Sequence, residues 1–434
     1  MQDETDGPAR PDPDAVHRVP DPDAGRRAIV VGGGIAGVSA ATWLARFGWK
    51  VTLIDRGAPG GPEAASFGNA GILSRSGIVP VAQPGLLAQA PRLLLDPDGP
   101  LFLRWSYLPR LAPFLVRFIR HGREDEVRRI AAALARLLTD AVDQHRALAE
   151  GAPEAEDLIR GGDYGFLYRD RAGYEADAFG HALRRAHGFE PLLAEGAGLR
   201  DRDPGLSSEW GFAAIYPDHG WIADPGAYVA ALAARFVAMG GTVRRGEVAA
   251  LDGEGRVALT GGARMQADRV VLAAGVRSRP LIRALGRDVP MESERGYHLH
   301  LRAAADARPA HPWMAAALRV AATPMADGVR LAGVVEFGGT EAGPSAGPPA
   351  LLRRAAARLW PEAEWEAETD WMGHRPSTVD SLPVIGPVPG AERVVAAFGG
   401  QHVGLTAGPR IGRMAAEIAA GLAAPDPAFS PGRF

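Results

Sequence analysis

An α/β fold is predicted, in which a dinucleotide-binding domain is assembled from separated segments and a mixed α+β domain is inserted between them. Three observations predict it. Residues 27–56 alternate an apolar strand, a glycine turn, an alanine-rich helix and a second strand. Two further helix-and-strand units recur far downstream, at residues 224–251 and 267–286. The segments between them have a different texture, of helices and of strands with period-two alternation.

Composition bounds the chemistry. At 434 residues the chain is long enough for two domains or one interleaved pair. Hydrophobic residues at 47%, charged residues at 23% and a net charge of -3 are ordinary values and give no electrostatic reason to expect nucleic acid or an anionic membrane. Small-molecule chemistry is therefore expected. The absence of cysteine excludes disulfides, thiolate nucleophiles, cysteine-ligated metals and a cofactor tethered through a thioether. Residues 1–26 are acidic and proline-rich without an apolar core, so a disordered tail is expected in place of a signal peptide, and a cytoplasmic location with it.

The elements follow in chain order. In 27–56, Gly32, Gly34 and Gly37 form G-x-G-x-x-G between a strand and a helix, with Asp55 at the end of the next strand. Glycine there permits a tight turn, close approach of backbone to a pyrophosphate and packing of helix on strand, while the helix N-terminus favours negative charge. Asp55 can accept hydrogen bonds from ribose hydroxyls and would repel a 2′-phosphate, which disfavours NADP and leaves NAD or FAD. The apolar run 28–47 is split by glycines, so it is a βα unit and not a membrane span. Residues 101–120 mix aromatics with Arg104, Arg110, Arg117 and Arg120; Pro109 and Pro113 favour a buried helix pair under a cleft over an interfacial helix.

Residues 128–150 read as a helix and 162–170 as a strand. The helix at 226–240 is entered by Asp224 as N-cap with Pro225 next. The run 270–274 reads as a buried strand feeding a helix, and 295–302 and 316–338 as antiparallel strands with a turn at 325–328. In 295–302, Tyr297, Leu299 and Leu301 share one face while His298 and His300 share the other, and only one face can line a cleft. Arg375 stands nearly alone as a charge in the proline-rich stretch 371–387, and arginine is the side chain suited to two-pronged recognition of a carboxylate. His402, Gly404 and Thr406 lie in a loop leading into a final helix around 410–422, whose N-terminus can stabilise developing negative charge. No Ser-His-Asp, HExxH or paired-carboxylate pattern is present, and no metal site is expected.

Several stretches, in order, resemble the FAD-dependent D-amino-acid oxidase superfamily, and within it the bacterial D-amino-acid dehydrogenases. They are "ASFGNAGILSRSG" (65–77), "RRGEVAAL" (244–251), "VVLAAGVRS" (270–278), "RGYHLHL" (295–301), "WMGHRPSTVDSLPVIGP" (371–387) and "AFGGQHVGLTAGPRIGRMAAEIA" (397–419). The resemblance spans roughly 27–422. It implies a discontinuous Rossmann-like FAD-binding domain (27–90, 215–290 and 366–424) with an inserted mixed α+β substrate-binding domain (91–214 and 291–365). FAD contacts would come from Gly32, Gly34, Ile35, Ala36, Gly37, Asp55 and Arg56, from Ser66, Asn69, Ala70 and Gly71, and from Val248, Ala274 and Gly275. Gly373, Gly400, His402, Val403, Gly404, Leu405 and Thr406 would complete them.

The resemblance further implies that Arg375 clamps a substrate carboxylate, that Tyr297 is a second substrate contact, and that His402 sits by the flavin. Hydride would pass from the substrate Cα to flavin N5, and the imine would hydrolyse to a 2-oxo acid. The implied substrate is a small amino acid, such as one of D-proline or hydroxyproline type. A secondary or N-methyl amine, a 2-hydroxy acid, and a non-catalytic flavin-binding interaction protein stay open as alternatives, as do oxygen or a quinone as electron acceptor. Peripheral contact with the inner membrane through 101–120 also stays open. The chain departs from the family where its glycine-histidine pair becomes Gln401-His402. No histidine lies between Asp55 and Asn69, so noncovalent FAD is expected.

Overall fold

The computed structural model describes residues 25–85, 99, 101–304 and 308–434. Nearly all of the expected tail and the expected division near residue 90 lie outside the described residues.

Arg27–Val31 is an inner strand of a six-stranded sheet ordered Val384–Val388, Ala391–Phe398, Arg269–Leu272, Arg27–Val31, Lys50–Asp55, Thr242–Arg245. Every pairing is parallel except that of Val384–Val388 with Ala391–Phe398. Both faces are covered, which explains why these strands are continuous apolar runs. Ala28 and Val30 join the core under helices Ile35–Arg46, Pro225–Ala238 and Gly404–Ala420. Ile29 and Val31 join the core under helix Ser278–Ala284 and an antiparallel meander of Val248–Leu251, Arg256–Leu259 and Arg264–Gln266. The Asp224 side chain caps helix Pro225–Ala238, accepting from the Ala227 N–H at 3.0 Å.

A ten-stranded sheet forms the second layer. Its main path runs Ala367–Thr378, Met291–Arg302, Gly328–Phe337, Val320–Met325, Trp313–Ala315, Ile159–Tyr168, Phe212–Ile222, Ile72–Leu73. Helix Gly347–Leu359 covers one face, where Leu351, Leu352 and Leu359 pack on Tyr297, Leu299 and Leu331. Both edges of the sheet return to the start of helix Gly404–Ala420. Gln401 Nε2 donates to Thr378 Oγ1 at 2.9 Å from the first strand's end, and Thr406 Oγ1 donates to the Ile72 carbonyl at 2.9 Å from the last. The sheet therefore arches over that helix N-terminus.

Several local expectations change. Phe212–Ile222 and Ala367–Thr378 cross the expected domain division, since both hydrogen-bond into the ten-stranded sheet. Residues 101–120 form a strand, Leu101–Leu103, and one helix, Leu108–Arg120, in place of a helix pair. Pro109 sits in the first turn, where its missing N–H costs no bond. Among the described residues no helix is long and apolar enough to cross a membrane. The 128–150 segment is two helices, Glu124–Leu138 and Ala141–Ala149, parted where Asp140 turns its carboxylate to Arg410 of the last helix.

Candidate active site

The Gly32 turn closes only because of its glycines. Gly32 has φ +111°, and a Cβ there would lie 2.4 Å from the Ala273 carbonyl oxygen. A Cβ on Gly37 would lie 1.8 Å from the Gly32 carbonyl oxygen, so the helix could not approach the turn. The Asp55 carboxylate braces the turn from the next strand, accepting from the Gly33 N–H at 2.6 Å and the Gly57 N–H at 2.8 Å. Ser66 Oγ accepts from the Ile35 N–H at 3.0 Å and so caps the first helix from another loop. Arg330, on the arching sheet, holds that loop by donating to the Phe67 and Asn69 carbonyls at 3.1 and 2.8 Å.

A second helix opens beside the first. Helix Gly404–Ala420 packs on helix Ile35–Arg46 through small residues: a Cβ on Gly412 would meet the Ala36 carbonyl oxygen at 2.5 Å, and Ser39 Oγ donates to the Pro409 carbonyl at 2.9 Å. Among the described residues no side chain caps the Gly404 end, and Val403, Gly404, Leu405 and Thr406 at its start lie on the wall of the space beneath the arch. His145, completely buried, donates from Nε2 to the Leu405 carbonyl at 3.0 Å and so anchors this first turn from behind.

The space between the two sheets is one cavity of about 810 Å³. That is near the upper end of the roughly 300–1,000 Å³ usual for small-molecule sites. Of the residues expected at the cofactor, Gly32, Gly34, Ile35, Ala36, Asp55, Arg56, Ser66, Asn69, Ala70, Val248, Ala274 and Gly275 lie on its wall. So do Gly373, Gly400, His402, Val403, Gly404, Leu405 and Thr406. Gly37 and Gly71 do not. Gly37 is packed beneath the turn, and Gly71, at φ +81°, delivers the chain to the sheet edge against the Ile222 carbonyl. The Thr406 hydroxyl is spent on Ile72, leaving its backbone N–H as the group at the helix start.

Arg375 comes from the edge strand Ala367–Thr378, where Trp371, Gly373 and Arg375 alternate onto the cavity face. On the neighbouring strand Trp371 pairs with His298, Gly373 with Gly296 and Arg375 with Glu294. The guanidinium lies against Gly296, where a Cβ would be 2.6 Å from Cζ. Its one hydrogen bond goes from Nη1 to the Val334 carbonyl at 3.3 Å, and no carboxylate pairs with it among the described residues. Burial lowers its pKa from the usual arginine value, and the nearby Glu294 opposes that shift; the group stays charged. The guanidinium thus faces the cavity with most of its donors free.

Tyr297 is corrected in placement. It points to the opposite face of its strand, into the core under helix Gly347–Leu359, with its hydroxyl donating to Glu336 at 2.5 Å. The even face meets the cavity instead, through Gly296. On that face His298 stacks on Trp371 with ring centroids 5.4 Å apart and is bonded to the Gly68 carbonyl at 3.0 Å. Trp371 itself slots between Gly68 and Gly373, where a Cβ on either would strike the indole. The pattern Trp371-x-Gly373-x-Arg375 carried that shared face, since residues two apart on a strand point the same way.

The histidines at the site are neutral. His402 is open to the cavity yet enclosed by the protein; burial first, then the Arg375 charge, push it down to about 4. His374, also on the wall, bonds Ser293 Oγ at 2.8 Å and is lowered by burial and by Arg295, Arg277 and Arg56. The cavity thus presents two helix N-termini and several guanidinium groups, and no imidazolium. A diphosphate with an electron-accepting ring suits the glycine turn and the uncapped helix.

Comparison with known proteins agrees with this geometry. The model of a family described as FAD dependent oxidoreductase, DAO, matches residues 27–418. A D-amino-acid oxidase of Bradyrhizobium diazoefficiens is 37% identical over 420 residues, covering 94% of this chain and 99% of that one. D-amino acid dehydrogenase 2 of Pseudomonas aeruginosa is 32% identical over 377 residues, covering 83% and 87%. Among solved structures, glycine oxidase from Geobacillus kaustophilus superposes with a TM-score of 0.69 at 22% identity, covering 94% and 99%. L-proline dehydrogenase from P. horikoshii gives 0.69 at 18%, covering 94% and 97%. The fold is theirs, and the chain belongs to the DAO family of FAD-dependent oxidoreductases, whose relatives here are enzymes of amino-acid oxidation.

Proposed function

We infer that the protein oxidises a D-amino acid, with the carboxylate held by Arg375 and the Cα–H presented to noncovalently bound FAD. The observation that carries this reading is Arg375: a guanidinium without a carboxylate partner among the described residues, set in the same cavity as the glycine turn and the uncapped Gly404 helix. Bound FAD supplies the acceptor for a hydride from the substrate Cα. The chain's part is placement. Gly32, Gly34 and the Ile35 helix end would hold the pyrophosphate, Asp55 the ribose, and the first N–H groups of helix Gly404–Ala420 the negative charge of the reduced ring. Arg375 would fix the carboxylate by paired hydrogen bonds and thereby aim the Cα–H. The amine must be neutral to lose hydride, and the resulting imine is hydrolysed by water to a 2-oxo acid and ammonia.

The fold is shared by enzymes named for glycine, L-proline and D-amino acids, so handedness is supported by the 37% identical D-amino-acid oxidase and not by architecture. Anaerobic mixing of the yellow holoprotein with D- and L-amino acids, N-methyl amines and 2-hydroxy acids tests it. Bleaching of the flavin band by D-amino acids is expected. Bleaching by only the L-series, amines or hydroxy acids would overturn the reading.

A further inference from the structure

Resting on that reading of the site, we propose that Ala332 and Ala321 form the floor of the subsite for the substrate's side chain, and that this subsite selects straight apolar side chains up to the length of a butyl group. The position of the carboxylate end follows from the clamp. Between the pairs Gly296–Val335 and His298–Ala332 the two strands are out of step, so that Gly333 and Val334 together stand opposite Tyr297. Such a bulge breaks the ladder and re-aims the chain. The Val334 carbonyl in this bulge accepts from Arg375 Nη1 at 3.3 Å, so the guanidinium reaches across strand Met291–Arg302 to strand Gly328–Phe337. Gly333 and Ala332, the adjoining residues of that strand, line the cavity beside it.

One transverse row of the sheet supplies the rest. Trp371, His298, Ala332, Ala321 and Met314 stand in register on adjacent strands. Residues directly opposite share a face, and Trp371, Ala332, Ala321 and Met314 all lie on the cavity wall. The row is therefore tall at the stacked rings of Trp371 and His298, falls to two methyl groups, and rises again at Met314. Two residues further along the same strands Thr323 pairs with Arg330, which closes that end by donating to the Phe67 and Asn69 carbonyls. An apolar recess is left, open toward Arg375. Strands stand roughly 4.8 Å apart, so Ala332 lies on the strand that the guanidinium touches and Ala321 one spacing beyond. Both are within reach of a butyl chain on a Cα whose carboxylate is clamped. Met314, a further spacing away, stops longer chains.

The test uses the FAD-loaded full chain and anaerobic flavin reduction with D-alanine, D-2-aminobutyrate, D-norvaline, D-norleucine and D-2-aminooctanoate, and with D-glutamine as a polar chain of similar length to D-norleucine. Efficiency should rise about 4-fold with each methylene buried in the recess. D-norleucine should exceed both D-alanine and D-glutamine by at least 10-fold, and D-2-aminooctanoate should fall below it. A smaller wild-type ratio in either comparison overturns the subsite. Ala321→Leu fills the recess and should lower the ratio of D-norleucine to D-alanine by 10-fold or more, whereas Met314→Ala lengthens it and should move the optimum to D-2-aminooctanoate. A series that both substitutions leave unchanged overturns the subsite. Weaker FAD binding in Ala321→Leu with the ratio unchanged would give the recess to the cofactor and overturn it too. If Ala321→Leu does not fold, the wild-type series and Met314→Ala decide. If D-amino acids bleach the flavin without regard to side-chain length, the subsite fails and the reading of the active site stands. If no D-amino acid bleaches it, that reading fails and the subsite with it.

Discussion

The guanidinium of Arg375 rests against Gly296 of the adjacent strand, in the place a Cβ would occupy: that atom would be 2.6 Å from Cζ and 2.8 Å from Nε. Gly296 is thus required by the arginine's position and not by its own backbone. Gly296→Ala should push Arg375 outward by a fraction of an ångström to an ångström. Misplacement of that size costs up to about 100-fold in kcat/KM. FAD content and melting temperature should change little, because the added methyl group meets the Arg375 guanidinium and leaves the Gly32 turn untouched. Steady-state kinetics with the best amino acid, beside the flavin absorbance ratio, check this.

Arg375→Ala removes the anion partner and keeps the FAD cradle. Substrate affinity should drop by about 2–5 kcal/mol, the usual cost of truncating one side of a buried charge pair. Arg375→Lys should recover only part, since an ammonium cannot form the parallel pair of bonds. Titration with a non-reacting carboxylate that perturbs the flavin spectrum reads the affinity directly. Unchanged affinity in Arg375→Ala would remove the clamp.

Legibility in the sequence followed the range of the interactions. The Gly32 turn and Asp55 were readable because their partners lie within one βαβ unit: Asp55 reaches back only to Gly33. That Arg375 would reach the cavity wall was readable from its motif. The choice between the faces of strand Met291–Arg302 was not, because alternation defines two faces but not which meets the cavity. Helix Gly347–Leu359, more than forty residues later, decides it by covering Tyr297, Leu299 and Leu301.

Buried neutral histidines should make the fold acid-sensitive. Burial pushes His145 and His219 down to about 4, and His181 and His298 to about 3. In the unfolded chain each returns to about 6.5. The unfolded state therefore binds more protons between these values, so stability is intact above pH 6.5 and is lost as pH falls toward 4. For a fully buried group such as His145 this amounts to about 2 kcal/mol at pH 5. Melting curves from pH 7.5 to 4.5 should show the decline, and His145→Gln should flatten it. Because His145 Nε2 holds the Leu405 carbonyl, FAD release should accompany the decline.

Asp55 should govern cofactor retention through two contacts at once. Its carboxylate accepts the Gly33 and Gly57 N–H groups, which orders the glycine turn before any ligand arrives, and its remaining lone pairs face the cavity where a ribose would lie. Hydrogen bonds to a charged acceptor contribute about 1.5–3 kcal/mol each. Asp55→Ala removes the acceptor for the turn as well as that for the ribose, so FAD affinity should fall at least 10-fold, and excess FAD should restore activity. Asp55→Asn keeps one carbonyl oxygen and should lie between the two. Fluorescence-quenching titrations of FAD into the stripped proteins measure all three. The order wild type, Asn, Ala is expected, whereas equal affinities would mean that the turn is preformed without Asp55 and that the ribose is held elsewhere.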